Sequence, residues 1–227
     1  MKEVFQSSMG INFTNFDASN IQEAETINCV FVVDKSSSTY SYIDELNQTL
    51  NDFLHEFQRS HVASKMMLSV IEFNENIEVK SAFQPIQDVS DFNVKPDGMT
   101  NLYGAVLAGI ENAVNYREQL EDNGISAKTL VFIITDGLDN CGVNPNIVKQ
   151  KIQEIYSNES NCFSFTIMMF GLGEETDFDH ARECMGIKKE MLAKLGTSAK
   201  ELRKMVSFIS SSVSSSANGQ NISSITF

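Results

Sequence analysis

At 227 residues the chain is long enough for one domain with a proper core and short for two. It sets 17 Lys and Arg against 30 Asp and Glu, for a net charge of −13. That argues against nucleic acid and anionic membrane as partners, because both need clustered basic side chains, and favours a bound cation or a basic partner. No apolar run approaches the roughly 20 residues of a membrane span, and the first residues, Met-Lys-Glu-Val-Phe-Gln-Ser-Ser, hold no apolar signal core. Cys29, Cys141, Cys162 and Cys184 show no C-x-x-C spacing. Reduced thiols in a cytoplasmic protein are expected, with no zinc site or redox pair.

Residues 1–26 are polar with scattered Phe5, Ile11, Phe13 and Phe16. No period holds there, so this stretch is an N-terminal arm, either packed through its aromatics or a flexible tail. Ile27–Val33 is an apolar, β-branched run that ends abruptly at Asp34, and it reads as a strand buried on both faces. Ser41-Tyr-Ile-Asp44 has the spacing of a capping box. Ile43, Leu46, Leu50, Phe53, Leu54 and Phe57 follow at helical spacing. Met66–Phe73 and Ile77–Phe83, joined by the polar turn Asn74-Glu-Asn76, predict an antiparallel hairpin with an edge strand. Val89–Phe92 suggests a short helical turn.

From Leu102 the apolar positions Val106, Ile110, Ala113, Val114 and Leu120 predict a helix that stops at Asn123-Gly124. Thr129–Thr135 is a second fully buried strand, and it too ends on an acid, in Asp136-Gly-Leu-Asp-Asn140. Pro145 opens a helix to about Tyr156. Phe163–Phe170 reads as a strand, Phe178–Cys184 as a short helix and Glu190–Leu195 as a last strand. Ser198-Ala-Lys-Glu201 is a full capping box for a final helix. A Ser-rich tail then follows, expected to be disordered after about Ser215. Alternating strands and helices imply an α/β fold: a doubly wound, mostly parallel six-stranded sheet with one antiparallel edge strand and helices on both faces.

Loops at the carboxyl edge of such a sheet share one face. Three of them carry oxygen ligands: Asp34, Ser36 and Ser38 on the first, Thr100 on the second, Asp136 on the third. A donor set made only of oxygen selects a hard cation, Mg²⁺ before Ca²⁺ or Mn²⁺. With two carboxylates among five donors, the metal keeps much of its charge and gains strongly from a carboxylate supplied by a partner. Glu174, Glu175, Asp177 and Asp179 form an acidic loop at the same edge, and Asp139 and Asn140 are further rim candidates. His55, His61 and His180 have no Cys or Ser partner by spacing. Lys35 has nothing to orient it.

Asp-x-Ser-x-Ser, Thr in Gly-Met-Thr-Asn-Leu and Asp in Ile-Thr-Asp-Gly resemble the von Willebrand factor A (vWA) domain and its metal-ion-dependent adhesion site over residues 27–215, which leaves 216–227 as a tail. The resemblance implies that Ser36, Ser38 and Thr100 face the metal directly, while Asp34 and Asp136 act largely through water. One departure is Ser37, where the family often has glycine. The chain looks like stand-alone bacterial members of the tellurium-resistance (TerY-like) type, which implies a cytoplasmic, non-enzymatic binding module in stress-response or phage-defence complexes, beside a protein kinase and phosphatase pair. The alternatives are a Mg²⁺-dependent phosphohydrolase and an assembly factor for an ATPase or phage complex. The phosphohydrolase is disfavoured because Ser36 stands where a phospho-Asp enzyme would carry its second carboxylate.

Overall fold

The computed structural model describes residues 4–158, 164–173 and 176–226. Its elements, in order, are β1 (Val4–Gln6), β2 (Asn12–Thr14), β3 (Glu25–Asp34), α1 (Ile43–Gln58), β4 (Met66–Phe73), β5 (Ile77–Pro85), α2 (Leu102–Asp122), β6 (Ser126–Thr135), α3 (Pro145–Ser157), β7 (Phe165–Leu172), α4 (Phe178–Met185), β8 (Leu192–Leu195) and α5 (Ala199–Ala217). The main sheet has six strands in the order β5-β4-β3-β6-β7-β8. All neighbours run parallel except the edge strand β5, which is antiparallel to β4.

Successive side chains of a strand point to opposite faces. Phe31 of β3 meets Phe53 of α1, its ring 5.3 Å away. On the other face Val30 and Val32 meet Gly109 of α2, where an added Cβ would stand 3.1 Å from Val32. So α1 and α2 cover opposite faces, and Gly109 lets α2 lie close against the sheet. Phe208 of α5 contacts Phe170 of β7, and α5 packs beside α1. Gly171 of β7 serves the same purpose at the other end of the sheet, since a Cβ there would run into the Phe178 ring at the start of α4. Strand order reverses about β3. The connections after β3 and β6 therefore part there and leave a crevice at the carboxyl edge.

Several local expectations differ from what forms. β3 starts at Glu25, which places Cys29 in mid-strand and fully buried. The first turn of α1 has Tyr42 at its N-cap with no side-chain bond, because Ser41 belongs to the 3₁₀ turn Ser37–Ser41. The short turn before α2 is Ile86–Asp88 and not Val89–Phe92. α5 continues to Ala217, burying Val213 and Ser216, and the Ile225 N–H donates to Glu190 O at 2.8 Å, so the expected disorder after Ser215 is not what the structure shows. The serines after Ser210 suggested a solvated tail, but their helical spacing leaves Val213 on the buried face. Cys162 lies outside the described residues.

The arm is built onto the domain. β1 and β2 form a hairpin with Phe13 fully buried. Asn15 is buried and bonds two ways: its Nδ2 donates to Asn112 Oδ1 of α2 at 2.8 Å, and its Oδ1 accepts the Phe83 N–H of β5 at 3.0 Å. The Phe16 N–H then donates to Phe83 O, so the arm covers the far end of the edge strand. Replacing Asn15 by Ala leaves a buried backbone N–H and a buried amide oxygen without partners. We expect Asn15→Ala to destabilise the protein by about 2–3 kcal/mol. Urea unfolding measures this, and a loss below about 0.5 kcal/mol, the range of an ordinary surface change, would mean that the arm contributes little.

Candidate metal site

The apolar run of β3 carries the Asp34 carboxylate to the edge of the sheet, where it is 1% exposed. Oδ1 accepts the Ser36 N–H at 2.8 Å, and Oδ2 accepts the Thr135 hydroxyl at 2.5 Å. The first bond folds the chain sharply after the strand and brings the two serines back over it: Ser36 Oγ and Ser38 Oγ stand 3.0 Å apart. Ser38 Oγ donates to Asp136 Oδ1 at 2.6 Å, joining the loop after β3 to the loop after β6. Ser37 introduces no strain. Among the described residues only glycines have a positive φ, and the Ser37 N–H donates to Gly98 O at 3.1 Å.

Thr100 arrives from the connection before α2. Its N–H donates to Asn140 Oδ1 at 2.8 Å, and its carbonyl accepts the Asn140 N–H at 2.9 Å. Its hydroxyl faces Gly137, where an added Cβ would touch Oγ1 at 3.4 Å. The turn that delivers it depends on two glycines. Gly98 has φ +76° and packs so closely on Glu75 that a Cβ would collide with its carboxylate, which accepts the Met99 N–H. Gly104 leaves room for the Asn101 side chain to cap α2. Asp34, Ser36, Ser38 and Asp136 thus form one hydrogen-bonded cluster, with Thr100 set against the Asp136-Gly137 turn.

Burial above all pushes the Asp34 carboxyl up to about 6; the bonds from Thr135 and Ser36 oppose this, and the charge of Asp136 adds to it. Tyr42, buried beside both carboxylates, is raised by burial and then by the charges of Asp136 and Asp34. Negative charge is therefore held here in a poorly solvated place, and among the described residues no basic side chain pairs with it, Lys35 being committed to Glu78. That, with five oxygen donors from three loops, fits a hard divalent cation. Among the described residues no three His, Cys, Asp or Glu side chains gather as a metal-binding group, so a cation in this crevice relies on hydroxyls.

Other sequence candidates have structural roles. Asp139 accepts the N–H groups of Tyr103, Cys141 and Gly142, and Asn140 fixes Thr100. Asp177 caps α4 through the His180 N–H, and Asp179 pairs with Arg182 and Lys194. Glu174 and Glu175 lie outside the described residues. His180 does meet a cysteine, Cys184 Sγ at 3.4 Å, one helical turn on. Lys35 is firmly oriented. It is buried, its ammonium lies 2.5 Å from Glu78 Oε1, and it lines a cavity of about 470 Å³ beside β5 rather than the crevice. Thr135 was missed by sequence reasoning, although a hydroxyl at a buried strand's last position, just before the acid, was a usable signal.

The family model for the von Willebrand factor type A domain matches residues 28–207. The chain belongs to that family. Among solved structures it is similar to proximal thread matrix protein 1 from the mussel byssus, with 17% identity and TM-score 0.58 over 83% of this chain and 48% of that one. A second structure of that protein, described as having a zinc-occupied MIDAS motif (the family's metal-ion-dependent adhesion site), gives 16% identity and TM-score 0.56 over 82% of this chain and 45% of that one. A von Willebrand factor type A protein from Catenulispora acidiphila gives 14% identity and TM-score 0.53, over 84% and 43% of the two chains. The chain spans about half the length of the byssus protein. No curated protein matches it in sequence. At these identities the likeness shows the fold alone. No helix among the described residues is long and apolar enough to cross a membrane.

A carboxyl raised from 3.8 to about 6 holds its proton more tightly in the folded chain than in the unfolded one. Without metal, its contribution is therefore present below pH 4 and lost as pH rises through 6. The full loss is about 3 kcal/mol by the usual conversion of pKa to energy. In EDTA, the Asp34→Asn protein should gain stability over the wild type by up to that amount at pH 7.5 and by little at pH 4. Chemical unfolding at the two pH values measures it, and equal differences at both would contradict the burial argument.

Proposed function

We propose that this domain is a non-enzymatic module that binds a protein partner through a divalent cation, Mg²⁺ in the first place, held by Ser36, Ser38 and Thr100 with Asp34 and Asp136 behind them. The observation that carries the reading is the hydrogen-bonded cluster of Asp34, Ser36, Ser38 and Asp136, which ties two loops together around uncompensated negative charge. When bound, the cation would supply a coordination position for an Asp or Glu of the partner. The chain's own part is to present three hydroxyls. Because these are neutral, they leave the cation's charge to be met by that carboxylate. Thr135 and the Ser36 N–H hold Asp34 in place, and Asn140 holds Thr100.

The alternative of a Mg²⁺-dependent phosphohydrolase needs a nucleophile or base beside the metal. Lys35, the cation next to Asp34 in sequence, is turned away and paired with Glu78, which favours binding over turnover. A place beside a kinase and phosphatase pair in bacterial stress response, like the assembly-factor alternative, rests on the sequence resemblance alone.

With the full chain, Mg²⁺ at about a hundred times its dissociation constant should stabilise the wild type by roughly 2.7 kcal/mol. It should leave Ser38→Ala and Asp136→Ala near their metal-free stability. Calorimetric titration and thermal unfolding, with and without EDTA, read both effects. Wild-type protein that neither binds nor is stabilised by Mg²⁺, Mn²⁺ or Ca²⁺ sinks the proposal. Turnover of a generic phosphate ester that needs Mg²⁺ and disappears in Asp136→Ala would install the enzyme reading in its place.

A further inference from the structure

Large apolar side chains left in solvent are concentrated around the crevice. Among the described residues those that stand out are Val4, Tyr40, Met99, Leu138 and Ile147. Three of them sit on the three loops that build the candidate site, one to each. Tyr40, 79% exposed, is two positions after Ser38; Met99, 53% exposed, directly precedes Thr100; Leu138, 40% exposed, is two positions after Asp136. A fourth, Ile147, lies in the first turn of α3, which starts from the loop after β6.

None of the three is an accident of a disordered loop. Tyr40 is fixed in a 3₁₀ turn whose Thr39 hydroxyl bonds back to Ser36 O. The Met99 N–H is held by Glu75. Leu138 lies between Gly137, whose N–H donates to the Thr135 hydroxyl, and Asp139, which caps three N–H groups. The backbone is pinned; the Tyr40 side chain stands largely in water, and those of Met99 and Leu138 are half covered. Apolar side chains grouped on one rim, with polar residues around them, are the kind of surface that marks a protein–protein contact.

The charged residues beside these three side chains in sequence are acidic, and Lys35, on the first of these loops, is paired with Glu78. No Lys or Arg lies within two positions of Tyr40, Met99 or Leu138, whereas Asp97 and Asp139 do, and Glu75 touches Met99 through its carboxylate. A partner segment with several acids would be repelled. A segment with one acid would deliver it to the crevice and needs neighbours that are apolar.

We infer that the ligand of this site is a peptide segment of a protein partner in which a single Asp or Glu is flanked by large apolar side chains, the acid going to the cation and its neighbours packing on Tyr40, Met99 and Leu138. This rests on the metal-dependent reading above and adds the identity of the flanking residues. The cation would supply the requirement for an acid, and the rim the choice among acids.

A random peptide library displayed on phage, selected on the immobilised full chain in MgCl₂ and eluted with EDTA, tests it. Eluted peptides should carry an Asp or Glu next to Leu, Ile, Met or Phe. Acids set among polar or acidic neighbours would overturn the rim inference while leaving the metal reading intact. Failure of EDTA to release any enriched peptide would sink the metal reading, and this inference with it. The selected peptide, made synthetically, should bind the triple variant Tyr40→Ser, Met99→Ser, Leu138→Ser at least about tenfold more weakly, a loss of about 1.4 kcal/mol, with the Mg²⁺ dissociation constant unchanged. Unchanged peptide affinity in the folded variant would overturn it.

Discussion

A carboxylate buried at the end of the central strand is the constraint on which the rest of the molecule turns. Ionised Asp34 in a poorly solvated place costs several kcal/mol unless it is compensated. Among the described residues it receives hydrogen bonds from the Ser36 N–H and the Thr135 hydroxyl, and no ion pair with a basic side chain is formed. The nearest basic residue in sequence, Lys35, is instead committed to Glu78 on the edge strand. The fold thus holds a charge that it could have neutralised internally and does not. Such an arrangement persists where something outside the chain completes it, and a divalent cation on neighbouring hydroxyls is the form of completion that the donor set favours.

The sheet makes that arrangement stable enough to keep. β3 is buried along nearly its whole length between α1 and α2, with β4 and β6 on its two sides. Asp34 therefore cannot relieve its cost by moving out to water without undoing the core. Rigidity is then passed outward by short polar contacts. Thr135 links the ends of β3 and β6, Ser38 links their loops, and Asn140 with Asp139 locks the start of α2 onto the loop after β6. Three loops that are distant in sequence are held as one surface, as a site must be when it recognises a partner by geometry as well as charge.

Much of this was legible beforehand, for physical reasons that can be named. Two fully buried strands ending on acids, and a Thr at the mouth of a helix, locate the crevice because parallel sheets collect their loops at one edge. The hairpin and its antiparallel edge strand follow from period and turn chemistry. The last helix was cut short because serine signals solvent by composition, while its spacing had already set Val213 on the buried face. The packing of the arm was undecided because one buried asparagine, Asn15, secures it to strand β5 and helix α2. Long-range pairs of that kind leave no period in sequence. Lys35 was misjudged for the same reason, since its partner Glu78 is distant in the chain.

The contrast between Lys35 and the rim residues sharpens the functional reading. Both depart from what solvent would choose: a lysine is buried, and a tyrosine, a methionine and a leucine are exposed. The lysine is explained within the chain, because its ammonium is paired and its backbone bonds to Phe73 and Asp97 fasten the loop to its neighbours. The rim residues have no such internal account. Their backbones are pinned by polar contacts that would serve as well if the side chains were small and polar. What sets these side chains apart is position, one beside each set of candidate ligands. A residue whose cost is met inside the fold speaks of stability. Apolar residues left partly or largely in solvent, placed around an incomplete charge, speak of a partner.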